Sequence, residues 1–430
     1  MSTLPGVRRT LLRTGLARTF AMPISVLAGL ITTSTQIEYA GPTTYGVIAL
    51  IATLYLLLPF SDLGLGAAVT SRFAAAHATG DWGNALATRR RAARILAMIA
   101  TMGCGITIIV SLFGHWSQLL GVGLSQAEEL AVGLSLLMFF VSVPLSLGQR
   151  ILVGLSSTHI VAVVPALTGV LTLSFTFAIA LLGMPPASFA VAPALSLLAV
   201  NAGTSVAASR LLKAHAAHAA TSSSGDLSGS LAMLLITLGI PLGTQAGRLI
   251  VAHTSTPEQL ARFALATQLF SITWGLVSAV GLALWPLFVH RRSRAGDSDR
   301  LLRQALLLFS AIGFIILVAF GLGAPWGAYL ISRGEISLDR GLCLAFGFLI
   351  MMQAIHLPYG MLLTLPRELG FQAVCVLAMG ILAVTLGLAG VRILGVYAVP
   401  LASALAVIVA QIGPDLIFSK HLLRRRSYET

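Results

Sequence analysis

The sequence predicts an all-α polytopic membrane protein, with about twelve transmembrane helices in two six-helix bundles related by a pseudo-two-fold axis along the membrane normal. Three observations predict it. First, the 430 residues are 57% hydrophobic and only 10% charged, with a mean hydropathy of +0.92, whereas an ordinary soluble domain is about 25% charged. That composition excludes a soluble globular protein. Second, apolar runs of about 18 to 24 residues recur throughout, each able to cross the roughly 30 Å hydrocarbon layer as a helix. Third, a polar segment at 211–229 divides these runs into two sets of six.

The spans in order are 17–37, 43–72, 92–113, 129–149, 160–182, 187–210, 230–251, 259–289, 304–322, 340–363, 370–389 and 396–418. The first is no cleaved signal peptide by expectation: Thr32, Thr33, Thr35 and Gln36 interrupt it, and no clear small-residue cleavage site follows. The expected organisation is an N-terminal bundle over 1–210, a cytoplasmic linker over 211–229, a C-terminal bundle over 230–418 and a basic tail over 419–430.

The connections alternate in charge. One set carries Arg8, Arg9, Arg13 and Arg18; Arg72, Arg89, Arg90, Arg91 and Arg94; Arg150; Arg210 and Lys213; Arg291, Arg292, Arg294, Arg300 and Arg303; Arg367; and Lys420, Arg424, Arg425 and Arg426. The other carries Arg262, Arg333, Arg340 and Arg392, while Arg248 lies within a span. Cytoplasmic loops are enriched in bases, so a split of 22 against 4 places both termini in the cytoplasm. The formal charge of +13 thus suits anionic lipid headgroups and calls for no nucleic-acid partner. Cys104, Cys343 and Cys375 sit in apolar runs with no zinc-binding or disulfide spacing. No metal or cofactor is expected.

Polar residues recur at helical spacing on several spans: Ser25, Gly29, Thr32 and Gln36; Ser135, Ser142, Ser146 and Gln149; Thr168, Thr172 and Thr176; Thr237, Thr244, Gln245 and Arg248; Gln268, Ser271, Gly275 and Ser278; and Gln353, His356 and Gly360. Such a face lines a watery cavity or lets helices approach and hydrogen-bond; stripes spread over both halves favour a cavity. Ionisable residues within spans are costly and point to function. By depth, Asp62 and Asp415 fall near the cytoplasmic face and Arg248 near the outer one, where water can reach them, while His356 lies nearer the midplane and is expected to be a neutral histidine bonded to a neighbouring helix. No carboxylate is expected at mid-depth, which argues against coupling through a buried central acid. The sequence has no GxxxxGK[ST] loop and no catalytic constellation, so a nucleotide-driven pump or an enzyme is not expected.

The most distinctive segment is PFSDLGLGAAVTSRFA at 59–74. Pro59 interrupts the helix, Asp62 can cap the turn that restarts it, and Gly64 and Gly66 permit close backbone approach; the expected role is a cytoplasmic gate. With GPTTYGVIALIATL at 41–54, this segment resembles the second-helix signature of bacterial polysaccharide and O-antigen flippases, within the multidrug/oligosaccharidyl-lipid/polysaccharide exporter superfamily. The first segment has a faint counterpart, TPEQLARFALATQL at 256–269, offset by half the chain. GRLIVAHTSTPEQLARFALATQL at 247–269 is similar to the family's junction between the seventh and eighth helices. That junction often has an Asp before the Arg and a Tyr at the start of the eighth helix; here they are Gly247 and Phe263.

The resemblance implies a transporter, not an enzyme, in the bacterial inner membrane. It would move a polyprenyl-(pyro)phosphate-linked oligosaccharide from the cytoplasmic to the outer leaflet by alternating access, with the pathway between the halves. Expected phosphate contacts are Arg72 and Arg150 near the cytoplasmic entrance and Arg248 near the exit; Gln36, Gln149, Gln245, Gln268 and Gln353, with His356, would line the sugar site. Membrane lipids and a polysaccharide polymerase are the expected partners. Two alternatives stand beside this reading: a cation-coupled exporter of drugs or small amphiphiles, and a membrane scaffold for glycan-assembly enzymes.

Overall fold

The structure, a computed structural model, describes residues 5–57, 64–216, 230–282, 284–291 and 297–427. These residues are helical almost throughout, with no strand among them. Ten helical segments are long and apolar enough to cross a membrane, so this is a multi-pass membrane protein. Two of the ten are each divided into two helices by a turn. Pro5–Leu56 bends at Gly41, whose φ of 76° and ψ of 163° are open only to glycine at low cost, and 368–420 turns at a 3-10 segment, Gly395–Tyr397.

Divided at these turns, the described residues form twelve helices. The first, α1, runs over 5–40, and α2 comprises 42–56 with Leu65–Thr79. Trp82–Phe113 forms α3, Gln126–Leu145 with Leu147–Gly154 forms α4, Thr158–Leu181 forms α5 and Val191–Ala216 forms α6. In the second half, α7 is Ser230–Thr244 with Ala246–Thr254, α8 is Pro257–Gly281 with Leu284–Arg291, and α9 is Asp297–Ile331. Last come α10, Arg340–Leu362; α11, Pro366–Leu394; and α12, which joins Ala398–Val407 and Gly413–Ser427 through a π turn, Ile408–Ile412.

Local chemistry sets the ends. Ser125 and Glu128 form a reciprocal capping box at α4, and Thr256 and Gln259 do so at α8, where Pro257 takes the first helical position. Asp81 and Asp339 accept backbone N–H groups at the starts of α3 and α10. Gly80 and Gly114 close α2 and α3 in the left-handed conformation. The breaks inside spans follow Pro144 in α4 and Pro241 in α7, since proline removes a donor and clashes with the preceding turn.

The chain divides into two compact units, Met1–Leu234 and Leu235–Thr430. Their internal neighbour patterns match. In the first, α1 packs on α5, α2 and α3 on α4, and α6 on both α4 and α5. In the second, α7 packs on α11, α8 and α9 on α10, and α12 on both α10 and α11. Small residues make the crossings close: a Cβ on Gly148 of α4 would lie 2.5 Å from the Ser205 backbone of α6, and one on Gly380 of α11 would lie 2.6 Å from the Gly239 carbonyl of α7. Each unit has an apolar core at the end carrying the basic connections, around Phe73, Leu96, Phe139 and Leu152 in the first and around Phe288, Leu302, Tyr359 and Leu362 in the second.

Candidate functional site

In the first unit, most of the interruption expected at 59–64 lies outside the described residues. The helix stops at Leu56 and restarts at Leu65, with Gly64 at the N-cap at φ 69° and no side-chain cap bond. Pro59 and Asp62, with the interrupting and capping roles expected of them, lie outside the described residues. Buried Gly66 follows in the first turn, and its carbonyl accepts from Thr70 Oγ1 at 2.9 Å. Thr70 Oγ1 also reaches the Arg150 carbonyl at 3.2 Å. A Cβ on Gly154 would lie 2.6 Å from Phe73 Cβ, so the restarted helix lies tightly on the end of α4.

That packing brings the expected entrance arginines to one end of one unit: Arg72, half-buried on α2, and Arg150, exposed on α4. Gln149 is otherwise employed. Its Nε2 donates to Asn201 Oδ1 on α6 at 2.7 Å, and Asn201 Nδ2 reaches the Ser142 carbonyl at 3.4 Å. Gln36 is buried in α1 beside Thr32, Thr33 and Thr35.

In the second unit, Arg248 is 7% exposed on the second part of α7. This corrects the expectation that water at the outer face satisfies it, because neighbouring helices enclose the side chain. Gln245 is half-buried at the break between the two parts of α7, and Gln268 is half-buried on α8. The glycine before Arg248 has a steric reason: a Cβ on Gly247 would lie 2.6 Å from Val399 Cγ1 and 3.1 Å from Phe263 Cζ. Phe263 fills this corner and packs against Phe346 at 5.4 Å. No aspartate side chain fits there without moving both neighbours.

Gln353 and His356 lie on α10, Gln353 at 9% exposure. The neighbour of His356 on another helix is Asp415 on α12: Nε2 and Oδ2 approach to 3.0 Å, without a hydrogen bond between them. This corrects two expectations. The pair shares one level in the bundle although sequence depth separated its members, and Asp415, at 1% exposure, is enclosed and not bathed at the face. Sequence reasoning missed the pairing; its one signal was Gly413-Pro414 just before the acid. Pro414 has no N–H to donate and crowds the preceding turn, and the chain widens into a π turn in which Gly413 N donates to the Ile408 carbonyl. Such turns cluster at functional sites.

Most hydroxyls on or beside the stripes satisfy themselves, but buried Thr32 Oγ1 and Thr176 Oγ1 have no hydrogen-bond partner. Thr35, Thr168, Thr172, Thr244, Thr267 and Ser271 each donate to the carbonyl four residues back, and Ser142, Ser146 and Ser278 to the one three back. Others join helices: Ser135 Oγ donates to the Ala190 carbonyl, and Ser403 Oγ to the Gly243 carbonyl. The packing role is therefore visible for these residues, and the glutamines and arginines are the stronger ligand candidates.

No protein-family model and no curated protein matches the chain. Solved structures do. An inward-facing multidrug resistance MATE family transporter of the MOP superfamily aligns over 95% of this chain and 99% of its own, at 15% identity and a TM-score of 0.69. The lipid II flippase MurJ, in an inward closed conformation, aligns over 95% and 87%, at 15% identity and 0.59. A MOP superfamily transporter from Pyrococcus furiosus, described by the reverse polarity of its binding pocket, aligns over 97% and 99%, at 15% identity and 0.56. The chain thus has the fold shared by these transporters over nearly its whole length.

Proposed function

We propose that this chain is a membrane transporter that moves a polyprenyl-(pyro)phosphate-linked oligosaccharide from the cytoplasmic to the outer leaflet by alternating access, with both termini in the cytoplasm. The observation that carries the reading is Arg248, a guanidinium enclosed within an apolar bundle whose fold is shared with a lipid II flippase. A cation inside a bilayer is costly to place and is retained where it meets an anion. Guanidinium suits phosphate oxygens because its fixed fork of N–H donors binds two of them at once. Arg72 and Arg150 add cationic groups at the basic end of the first unit, and the sequence segments at 41–74 and 247–269 support a glycan-linked substrate.

Disruption of the encoding gene in its native host tests this. The expected result is loss of surface glycan, restored by the wild-type chain and, at equal protein level, reduced about tenfold or more with Arg248→Ala, the scale of losing a charge-assisted contact. Full glycan with Arg248→Ala removes Arg248 from the site; full glycan after disruption removes the glycan reading. One observation favours a second reading, cation-driven export of drugs or amphiphiles: the enclosed Asp415 carboxylate. That reading predicts drug sensitivity with an intact glycan on disruption.

A further inference from the structure

The matching helix crossings of the two units are held by different chemistry. Between α4 and α6 the link is a pair of neutral amides, Gln149 and Asn201, at 2.7 Å. Between α10 and α12 it is an imidazole and a carboxylate, His356 and Asp415, at 3.0 Å. An ionisable pair is therefore not needed to hold such a crossing. The Asp415 side chain is 1% exposed and that of His356 20%, so His356 offers the more open edge. Toward the basic end, Tyr359, Leu362, Phe371 and Phe418 belong to one apolar cluster, the two phenylalanine rings stacked at 4.2 Å.

The surroundings are polar but incompletely bonded. Neither Asp415 oxygen has a hydrogen-bond partner, although His356 Nε2 lies 3.0 Å from Oδ2, and Gln353 Oε1 and Gln372 Nε2 are also without partners. Without a shared proton the pair carries a net negative charge, and an uncompensated charge in such an enclosure is unfavourable by several kcal/mol. With one proton added the pair is neutral overall, whichever partner holds it. The π turn at Ile408–Ile412, immediately before Asp415, is the irregular element that can take up a change at the pair.

We propose that His356 and Asp415 form a proton-binding site that clasps α10 to α12 when one proton is shared between them and releases the π-turn segment of α12 when that proton leaves. The proton comes from and returns to water at the exposed edge of His356, and only an N–H or O–H bond forms or breaks. The other titratable and charged groups on the surrounding helices include Arg248, buried on α7, with His253 exposed at the end of that helix and Arg392 exposed at the far end of α11. Tyr359 on α10 and Cys375 on α11 are buried. Glu368 at the start of α11 accepts from Leu365 N; Lys420 on α12 is exposed. On α9, Arg303 bonds Asp299 in the first two turns, and α8 carries Glu258 and Arg262 at one end and His290 and Arg291 at the other. Cys343 and Arg340 lie on the first turn of α10.

The test needs no substrate and so stands apart from the proposed function. Purified protein in lipid nanodiscs is melted across a pH series, beside the variant H356Q/D415N, which installs the kind of amide pair the first unit already uses. Unfolded chains release the imidazole proton near about pH 6.5, so a folded state that still holds the proton above that value binds more protons and loses stability as pH rises. One linked proton corresponds to about 1.36 kcal/mol per pH unit, or a fall of about 3–5 °C per unit in a chain segment of this size. Wild type is expected to show this slope in excess of the variant, whose remaining slope reports the histidines common to both. Parallel slopes overturn the proposal. If H356Q/D415N does not accumulate, D415N alone is compared: its slope above about pH 6.5 is expected to be the shallower, and a slope equal to wild type overturns the proposal equally.

Discussion

Adding one methyl group at Gly247 probes the packing of the second unit where α7 meets α8 and α12. The new Cβ would lie 2.6 Å from Val399 Cγ1 on α12 and 3.1 Å from Phe263 Cζ on α8, whereas carbon atoms in favourable contact sit about 3.5–4.0 Å apart. One neighbour must therefore retreat by about 1 Å to restore contact distance. Neither does so freely. Val399 is β-branched and stiff at χ1 in a helix, and the Phe263 ring is backed by Phe346 at 5.4 Å. Overpacking of this kind costs about 1–3 kcal/mol. At about 2–4 °C per kcal/mol for a unit of this size, Gly247→Ala is expected to lower Tm by about 2–12 °C in a fluorescence melting assay of the purified protein. Val399→Ala removes the nearest methyl, so the double variant should be more stable than the sum of single effects allows, by about 1 kcal/mol. An unchanged Tm for Gly247→Ala, or strict additivity in the double variant, would refute the steric argument. Gly247→Asp, which restores the acid common in the resembling family, is expected to cost more than alanine.

Other expected outcomes follow from the same geometry. Gly148→Ala places a Cβ 2.5 Å from the Ser205 backbone, which cannot rotate away, and should destabilise the first unit by about 1–3 kcal/mol in the same melting assay. Ser125→Ala opens the capping box of α4 and should cost about 1 kcal/mol, with hydrogen exchange at 126–129 rising first. Ser403→Ala removes the hydroxyl that bonds the Gly243 carbonyl at 3.0 Å; a loss of about 1 kcal/mol is expected, and no loss would show that this interhelical bond contributes nothing.

The spans were legible because membrane burial writes itself locally: a run of apolar residues needs no knowledge of its neighbours. The twelve described helices fall where hydropathy places them, and Pro144, Pro241 and the cap residues Ser125 and Thr256 mark breaks and starts that local chemistry alone dictates. Pairing across the bundle was not legible. Gln149 meets Asn201 52 positions away, and His356 meets Asp415 on a helix that is not its sequence neighbour. The hydroxyl stripes were ambiguous for a different reason. A serine or threonine that bonds its own helix, as Thr267 does with the Phe263 carbonyl at 2.7 Å, has the same spacing as one that faces a ligand. Gly247, conversely, reads in sequence as a missing acid and in the structure as the only residue that fits.

The central claim is that this chain carries a sugar-phosphate headgroup across the bilayer. Proteoliposomes containing only the purified protein and a fluorescently tagged polyprenyl-pyrophosphate oligosaccharide, probed by a membrane-impermeant quencher, measure it directly. The expected result is a quenchable pool that grows with time, faster with wild type than with Arg248→Ala. A pool that stays constant and equal to that of protein-free vesicles would contradict the account.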